Sequence, residues 1–345
     1  MSQKRKNYLT WDEYFMSIVS LSSIKGEYSC EGACLVSSDH RILSIGYEDI
    51  PCSIKNTCFD STFVLSALSN AIYSFNGKRR EFEGGTVYLS SFPNCDESRW
   101  IAQGRFSRVL YFNKKVPADV ETVSSIILEN AGVEVEPYFD DWYVVDSYHA
   151  FLEELRTVMK RYIALSEEKK FLDREYFMGI SLLSALRSKD PSTQVGACLT
   201  DRYNKILSVG YNGTPFGMSD DVLPWASFGE ETGDLVTTKN PYIVHAEINI
   251  LDNYRGVPKD FSHGTLFLLY SPCDKCAARL SYTLLDQIVF LRAYTKDGMF
   301  DRSHVWLSCS SISYGLYNPE KDYTKDECLE MIEETTKVIK KNLKK

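Results

Sequence analysis

Between residues 173 and 186 the apolar side chains Tyr176, Phe177, Ile180, Leu183 and Leu186 recur three or four apart, the spacing of one helix face. Asp173 stands where an N-cap would, and the pattern ends before Pro191. Gln194–Thr200 and Lys205–Tyr211 read as the two strands of a hairpin. A long loop is expected from Asn212 to near Pro241, then a helix from near His245, a strand over Thr265–Tyr270, a helix from Cys273 and a strand over Gln287–Arg292. A hairpin followed by alternating helices and strands predicts an α/β sandwich with a mixed sheet.

The same pattern occurs twice. Gly32–Tyr47 (GACLVSSDHRILSIGY) and Gly196–Tyr211 (GACLTDRYNKILSVGY) share nine of 16 positions at an offset of 164. Trp11–Ile18 resembles Asp173–Ile180, and Gly84–Asn94 resembles His263–Cys273 at an offset of 179, so the second copy carries 15 extra residues after Tyr211. The expected organisation is a first domain over 1–146, a helical linker over 147–170 with a solvated EEKK boundary, a second domain over 171–330, and a basic tail over 331–345.

Composition narrows the function. The 345 residues carry a net charge of −8, which disfavours a polynucleotide partner held by many phosphate contacts. The N-terminus has basic residues but no apolar signal region, and no apolar run reaches the ~18–20 residues of a membrane span. A cytoplasmic location is expected, with a nuclear one as the alternative if Lys4, Arg5 and Lys6 serve as an address; the bland reading of that cluster is a solvated, disordered start. In a reducing compartment the ten cysteines point to metal binding, catalysis or core packing, not to a disulfide framework.

One constellation carries chemistry: His245-Ala246-Glu247 and, 27 residues after the histidine, Pro272-Cys273-Asp274-Lys275-Cys276. One imidazole and two thiolates are the three protein ligands of a catalytic zinc site. The CxxC spacing puts both sulfurs on the first turn of a helix, and two thiolates with a neutral imidazole balance Zn²⁺. Zinc is expected to acidify a water from a pKa of ~15.7 towards ~7. Glu247, two residues from a ligand, is placed to carry protons.

The combination is recognised as the zinc nucleobase-deaminase signature H-x-E…P-C-x-x-C. Arg187–Leu199 (RSKDPSTQVGACL), Gly210–Trp225 (GYNGTPFGMSDDVLPW), Tyr242–Leu251 (YIVHAEINIL) and Ser271–Ala277 (SPCDKCA) resemble the deoxycytidylate (dCMP) deaminase branch of the cytidine deaminase family over most of residues 172–292. The tandem arrangement is similar to the two-domain cytidine and dCMP deaminase domain-containing proteins. The resemblance implies two tandem three-layer α/β/α domains with five-stranded sheets, and hydrolysis of dCMP to dUMP and ammonia, supplying dUMP for thymidylate synthesis. It gives zinc to His245, Cys273 and Cys276, and proton transfer to Glu247. Asn212 would bind sugar or base, or serve only as a turn former before Gly213. Ala246 would join the substrate contacts. Arg187 and Lys189 would contact phosphate, or lie at a solvated helix end. Mg²⁺ beside Asp220 and Asp221 is implied only for a triphosphate, dCTP being the alternative substrate. dCTP and dTTP as allosteric ligands, and a homo-oligomer, follow from the family. Met218 stands where relatives often have Cys, so no second, structural zinc is expected. A non-catalytic nucleotide sensor or scaffold is the reading from a different class.

At the 179-residue offset the first copy has Ser66, Leu68, Asn94 and Glu97 in place of His245, Glu247, Cys273 and Cys276. These residues cannot form a zinc site with a proton carrier, so the first domain is expected to be inactive.

Overall fold

The structure, a computed structural model, describes residues 3–26, 30–50, 64–114, 116–139, 144–166, 171–227, 235–294 and 299–343. It divides into two units, one of Trp11–Tyr176, Lys205–Leu207 and Val338–Lys345, the other of Met1–Thr10, Phe177–Asn204 and Ser208–Lys337. They are called the first and second unit below.

The first copy runs α1 (Trp11–Lys25), β1 (Gly32–Val36), β2 (Ile42–Tyr47), α2 (Ala67–Ser74), β3 (Thr86–Ser91), α3 (Cys95–Gly104), β4 (Arg108–Asn113), α4 (Ala118–Asn130), β5 (Glu134–Pro137) and α5 (Val144–Ile163). Its sheet order is β2-β1-β3-β4-β5, with β1 antiparallel to β2 and β3, and β3, β4 and β5 parallel. Ala33 and Leu35 of β1 join the core that holds Ala67, Leu68 and Ala71 of α2. Gly32 faces the other way: a Cβ there would lie 2.2 Å from the Val19 carbonyl of α1. Alternation along the strand thus puts helices on both sheet faces.

The second copy repeats this as α6 (Asp173–Leu186), β6 (Gly196–Thr200), β7 (Ile206–Tyr211), α7 (Ala246–Asn253), β8 (Thr265–Tyr270), α8 (Asp274–Leu280), β9 (Gln287–Arg292), α9 (Met299–Ser308), β10 (Ser313–Leu316) and α10 (Lys325–Asn342). The sheet order β10-β9-β8-β6-β7 is the same order read from the other edge. Gly196 makes the same close approach to its helix, with a Cβ position 1.9 Å from the Ser181 carbonyl. Both copies are therefore mixed, five-stranded α/β/α sandwiches. Thr265–Tyr270 and Gln287–Arg292 fall where the pattern put them, whereas Asp173 is the first helical residue and not its cap.

Three expectations are corrected. The helical stretch read as a linker over 147–170 contains most of α5, which packs within the first unit: the Tyr148 and Phe112 rings lie 4.4 Å apart, and the Tyr148 hydroxyl donates to Ser23 Oγ at 3.1 Å. Its EEKK stretch lies outside the described residues. The basic tail over 331–345, read as the charged end of an exposed helix, is helical for most of its length as part of α10, but it is not exposed all round: Cys328, Met331, Ile332, Thr335, Thr336 and Ile339 of this helix are buried. The terminal lysines masked the buried face of this helix. The N-terminal basic cluster is not a free start either. The backbone N–H of Arg5 donates to the Lys189 carbonyl at 2.8 Å, and Lys4 pairs with Asp221 at 2.6 Å.

Candidate metal centre

His245 is the N-cap of α7, and an antiparallel bridge between Gly213 and Val244 fixes the residue before it. Asn249 Nδ2 donates to the Tyr211 carbonyl at 2.7 Å, tying the first turn of α7 to the end of β7. Cys273, three residues beyond β8, is the N-cap of α8, and Cys276 lies on the first turn of that helix. The two helix starts bring the three side chains together. His245 Nδ1 lies 3.5 Å from Cys273 Sγ and 3.4 Å from Cys276 Sγ, and all three ligand atoms fall within 4.8 Å of one another. Among the described residues this is the one such group.

The donor set fits zinc. Tetrahedral coordination with ordinary Zn–S and Zn–N bonds separates sulfur from nitrogen by about 3.5 Å. The caps add a second observation. Neither His245 nor Cys273 uses its side chain to cap its helix. Their counterparts Ser66 and Asn94 do: Ser66 accepts from the Ser69 N–H, and Asn94 from the N–H groups of Asp96 and Glu97. In the first copy these side chains are committed to the helices, whereas in the second they are committed to each other. Glu97, in place of Cys276, accepts from the Asn94 N–H at 2.9 Å and bonds Ser66, so hydrogen bonds join the two helix starts there.

Metal-free electrostatics follow from this crowding. Cys273 is lowered to about 4, first by the hydrogen bond from Cys276 and then by His245, against burial. The Cys276 thiol is pushed up by the neighbouring Cys273 sulfur and by burial, so the pair shares one negative charge. His245 is raised to about 9, chiefly by its hydrogen bond to Cys273. Glu247 is 4% exposed, and burial raises it to about 7 despite the nearby imidazole. An enclosed carboxyl that titrates near neutrality can accept and return protons. Ala246, fully buried, opens α7 between the two.

The remaining expected residues form a neighbouring network. Asn212 spends both ends of its amide on the chain: Oδ1 accepts from the Val195 N–H at 2.8 Å, and Nδ2 donates to the Thr193 carbonyl at 2.9 Å. Arg187 is 5% exposed and donates to the Leu9 carbonyl. Lys189 pairs with Asp220, and Lys4 with Asp221, so both loop carboxylates face lysines. Lys239 was not anticipated. Its ammonium reaches both oxygens of Asp190 at 2.5 Å and Ser192 Oγ at 2.6 Å. Asp190-Pro191 signals a turn, but no local pattern marks a lysine 49 residues away as its partner.

Residues 172–292 match the family described as the cytidine and deoxycytidylate deaminase zinc-binding region. The chain is 39% identical to a probable deoxycytidylate deaminase of Drosophila melanogaster over 150 residues, 43% of this chain and 73% of that protein. It is 43% identical to the Homo sapiens deoxycytidylate deaminase over 117 residues, 34% of this chain and 63% of that one, so it spans less than two thirds of the human protein. A crystal structure of cyanophage S-TIM5 dCMP deaminase in complex with dCMP and dUMP is 28% identical, covering 36% of this chain and 94% of the phage chain, with a TM-score of 0.31. No described helix is long and apolar enough to cross a membrane.

Proposed function

The chain belongs to the cytidine and deoxycytidylate deaminase family, and from that premise we propose that its second unit hydrolyses dCMP to dUMP and ammonia. The observation that carries this is the meeting of His245, Cys273 and Cys276 on two helix starts whose cap side chains are free of capping, with the enclosed Glu247 in the first turn of α7. Those three residues would hold zinc, which when bound acidifies water and supplies an oxygen nucleophile at neutral pH.

Glu247 does the proton work. Its carboxylate accepts a proton from the attacking water and delivers it to N3 of the pyrimidine as the C4–O bond forms. It then takes the second proton from that oxygen and passes it to the amine. The C4–N bond breaks and ammonia leaves, so one water is consumed per dCMP. Burial favours this, because an enclosed carboxyl near pH 7 is a usable acid and base in turn. The first unit takes no part in the chemistry, because Leu68 stands where the proton carrier would be.

The test is ammonia release from a panel of dCMP, dCTP, deoxycytidine and cytosine-containing RNA. dCMP is expected to turn over fastest. Glu247→Gln should keep its zinc and lose ~10²–10⁴-fold in rate. Zinc without turnover on any member of the panel would favour the sensor reading. The same assay with added dCTP and dTTP, and light scattering on the pure protein, reads the allosteric and oligomeric expectations.

A further inference from the structure

We infer that the N-terminal arm, residues 3–10, is a positioning element of the second unit's site, acting through Arg5 and Tyr8. The arm precedes the first copy's α1 yet belongs to the second unit. A reciprocal contact exists in the first unit. Arg187 Nη1 donates to the Leu9 carbonyl at 2.8 Å, and Lys25 Nζ, at the equivalent helix end, donates to the Phe171 carbonyl at 3.2 Å. Lys25 and Arg187 are 162 apart in the chain, as are Leu9 and Phe171. Each unit thus holds the segment that leads into the other copy's opening helix.

In the second unit the arm satisfies a helix end. The last carbonyls of α6 lack intrahelical partners. Arg5 Nη1 donates to the Leu186 and Ser188 carbonyls at 3.1 and 3.3 Å, and the Leu9 N–H donates to Leu186 at 3.2 Å. Arg5 Nη2 reaches Thr336 Oγ1 on α10 at 3.1 Å. The Tyr8 ring lies 5.1 Å from the Arg187 guanidinium and 5.1 Å from the Lys189 ammonium, holding two like charges against one aromatic ring.

From this turn the coupling runs to the site. Ser188 Oγ donates to the Asn212 carbonyl at 3.0 Å. Lys189 pairs with Asp220, whose carboxylate accepts from Thr214 and whose carbonyl accepts from Trp225 Nε1. Gly213, next to Asn212, bridges Val244, the residue before His245. The arm therefore sets the turn, and the turn sets the loop that leads into the metal centre.

The kinetic part of this inference rests on the deaminase reading, so the test has two arms on the full chain. For Arg5→Ala we expect KM for dCMP to rise about tenfold with kcat within about twofold and zinc content unchanged, and Arg5→Lys to recover part of the loss. Independently of any substrate, hydrogen exchange over residues 187–195 and 210–221 should quicken in a variant lacking residues 2–9. A synthetic peptide of residues 1–10 should slow it again. Unchanged KM together with unchanged exchange would overturn the inference, and so would a joint collapse of kcat, KM and zinc content, which marks a general folding role. If the wild-type chain deaminates nothing, the functional reading fails, and the exchange experiment still decides the role of the arm.

Discussion

Lys239→Met removes a buried cation from the loop that is 15 residues longer in the second copy than in the first. The Lys239 and Asp190 side chains are 9% and 3% exposed, so the substitution leaves a carboxylate out of water without its counter-ion. Removing one partner of a buried pair costs about 3–5 kcal/mol. Asp190 still accepts from the N–H groups of Ser192 and Thr193 at 2.9 and 3.1 Å, which limits the damage. That places the expected cost near the lower bound, about 3 kcal/mol, or ~10²-fold in the local opening equilibrium. Hydrogen exchange at the Val195 amide reads that opening directly, because its acceptor is Asn212, whose Nδ2 donates to Asp190 Oδ2 at 3.4 Å. Adding Asp190→Asn removes the stranded charge and should recover at least about 1 kcal/mol, a coupling that independent sites would not show. A Lys239→Met cost below about 1 kcal/mol, or a double variant as unstable as the sum of the singles, would refute the reasoning.

Two further predictions concern the first unit. Glu175 is fully buried. Burial alone would raise its pKa, but Lys160 at 2.7 Å and the Leu165 and Leu172 N–H groups at 2.6 and 2.8 Å outweigh that and lower it. A depressed carboxyl contributes stability that is present above its unfolded pKa and lost as pH falls through the folded one. Glu175→Gln should therefore cost about 2–3 kcal/mol at pH 7 in urea denaturation, with the gap closing in acid, and a pH-independent gap would contradict this. Glu97 has the opposite sign, since burial raises it against its bonds from Asn94 and Ser66. Its ionised form is penalised above the folded pKa and relieved as pH falls, so Glu97→Gln should be no less stable than wild type at neutral pH. A clear loss of stability at pH 7 would show that the charge, not the hydrogen bonding, joins those helix starts.

The sheet centre was legible because its signal is local. Val87 and Leu89 in β3, and Leu266 and Leu268 in β8, alternate on strands whose lengths follow from the sequence. Edge elements carried too little pattern. β5 reads Glu-Val-Glu-Pro, a composition that argues against a strand, and it forms as a sheet edge where only one neighbour is needed. The candidate metal site stood out because four residue types at fixed spacing have few other uses, and the structure brings His245, Cys273 and Cys276 together. Asn212 left two readings open; in the structure its amide bonds the backbone of Val195 and Thr193, 17 and 19 residues away, contacts that no local pattern marks. The Lys239–Asp190 pair and the arm depend on residues far apart in sequence, and a basic, aromatic start with no periodicity gave no sign that it docks in the second unit.

The most direct measurement is the zinc stoichiometry of the purified chain. The arrangement of His245, Cys273 and Cys276, set against the capping side chains of Ser66 and Asn94, predicts one zinc per chain, lost in Cys276→Ser and retained in Ser66→Ala. A chain that purifies without zinc and takes none up, or that binds two and keeps one in Cys276→Ser, would contradict it.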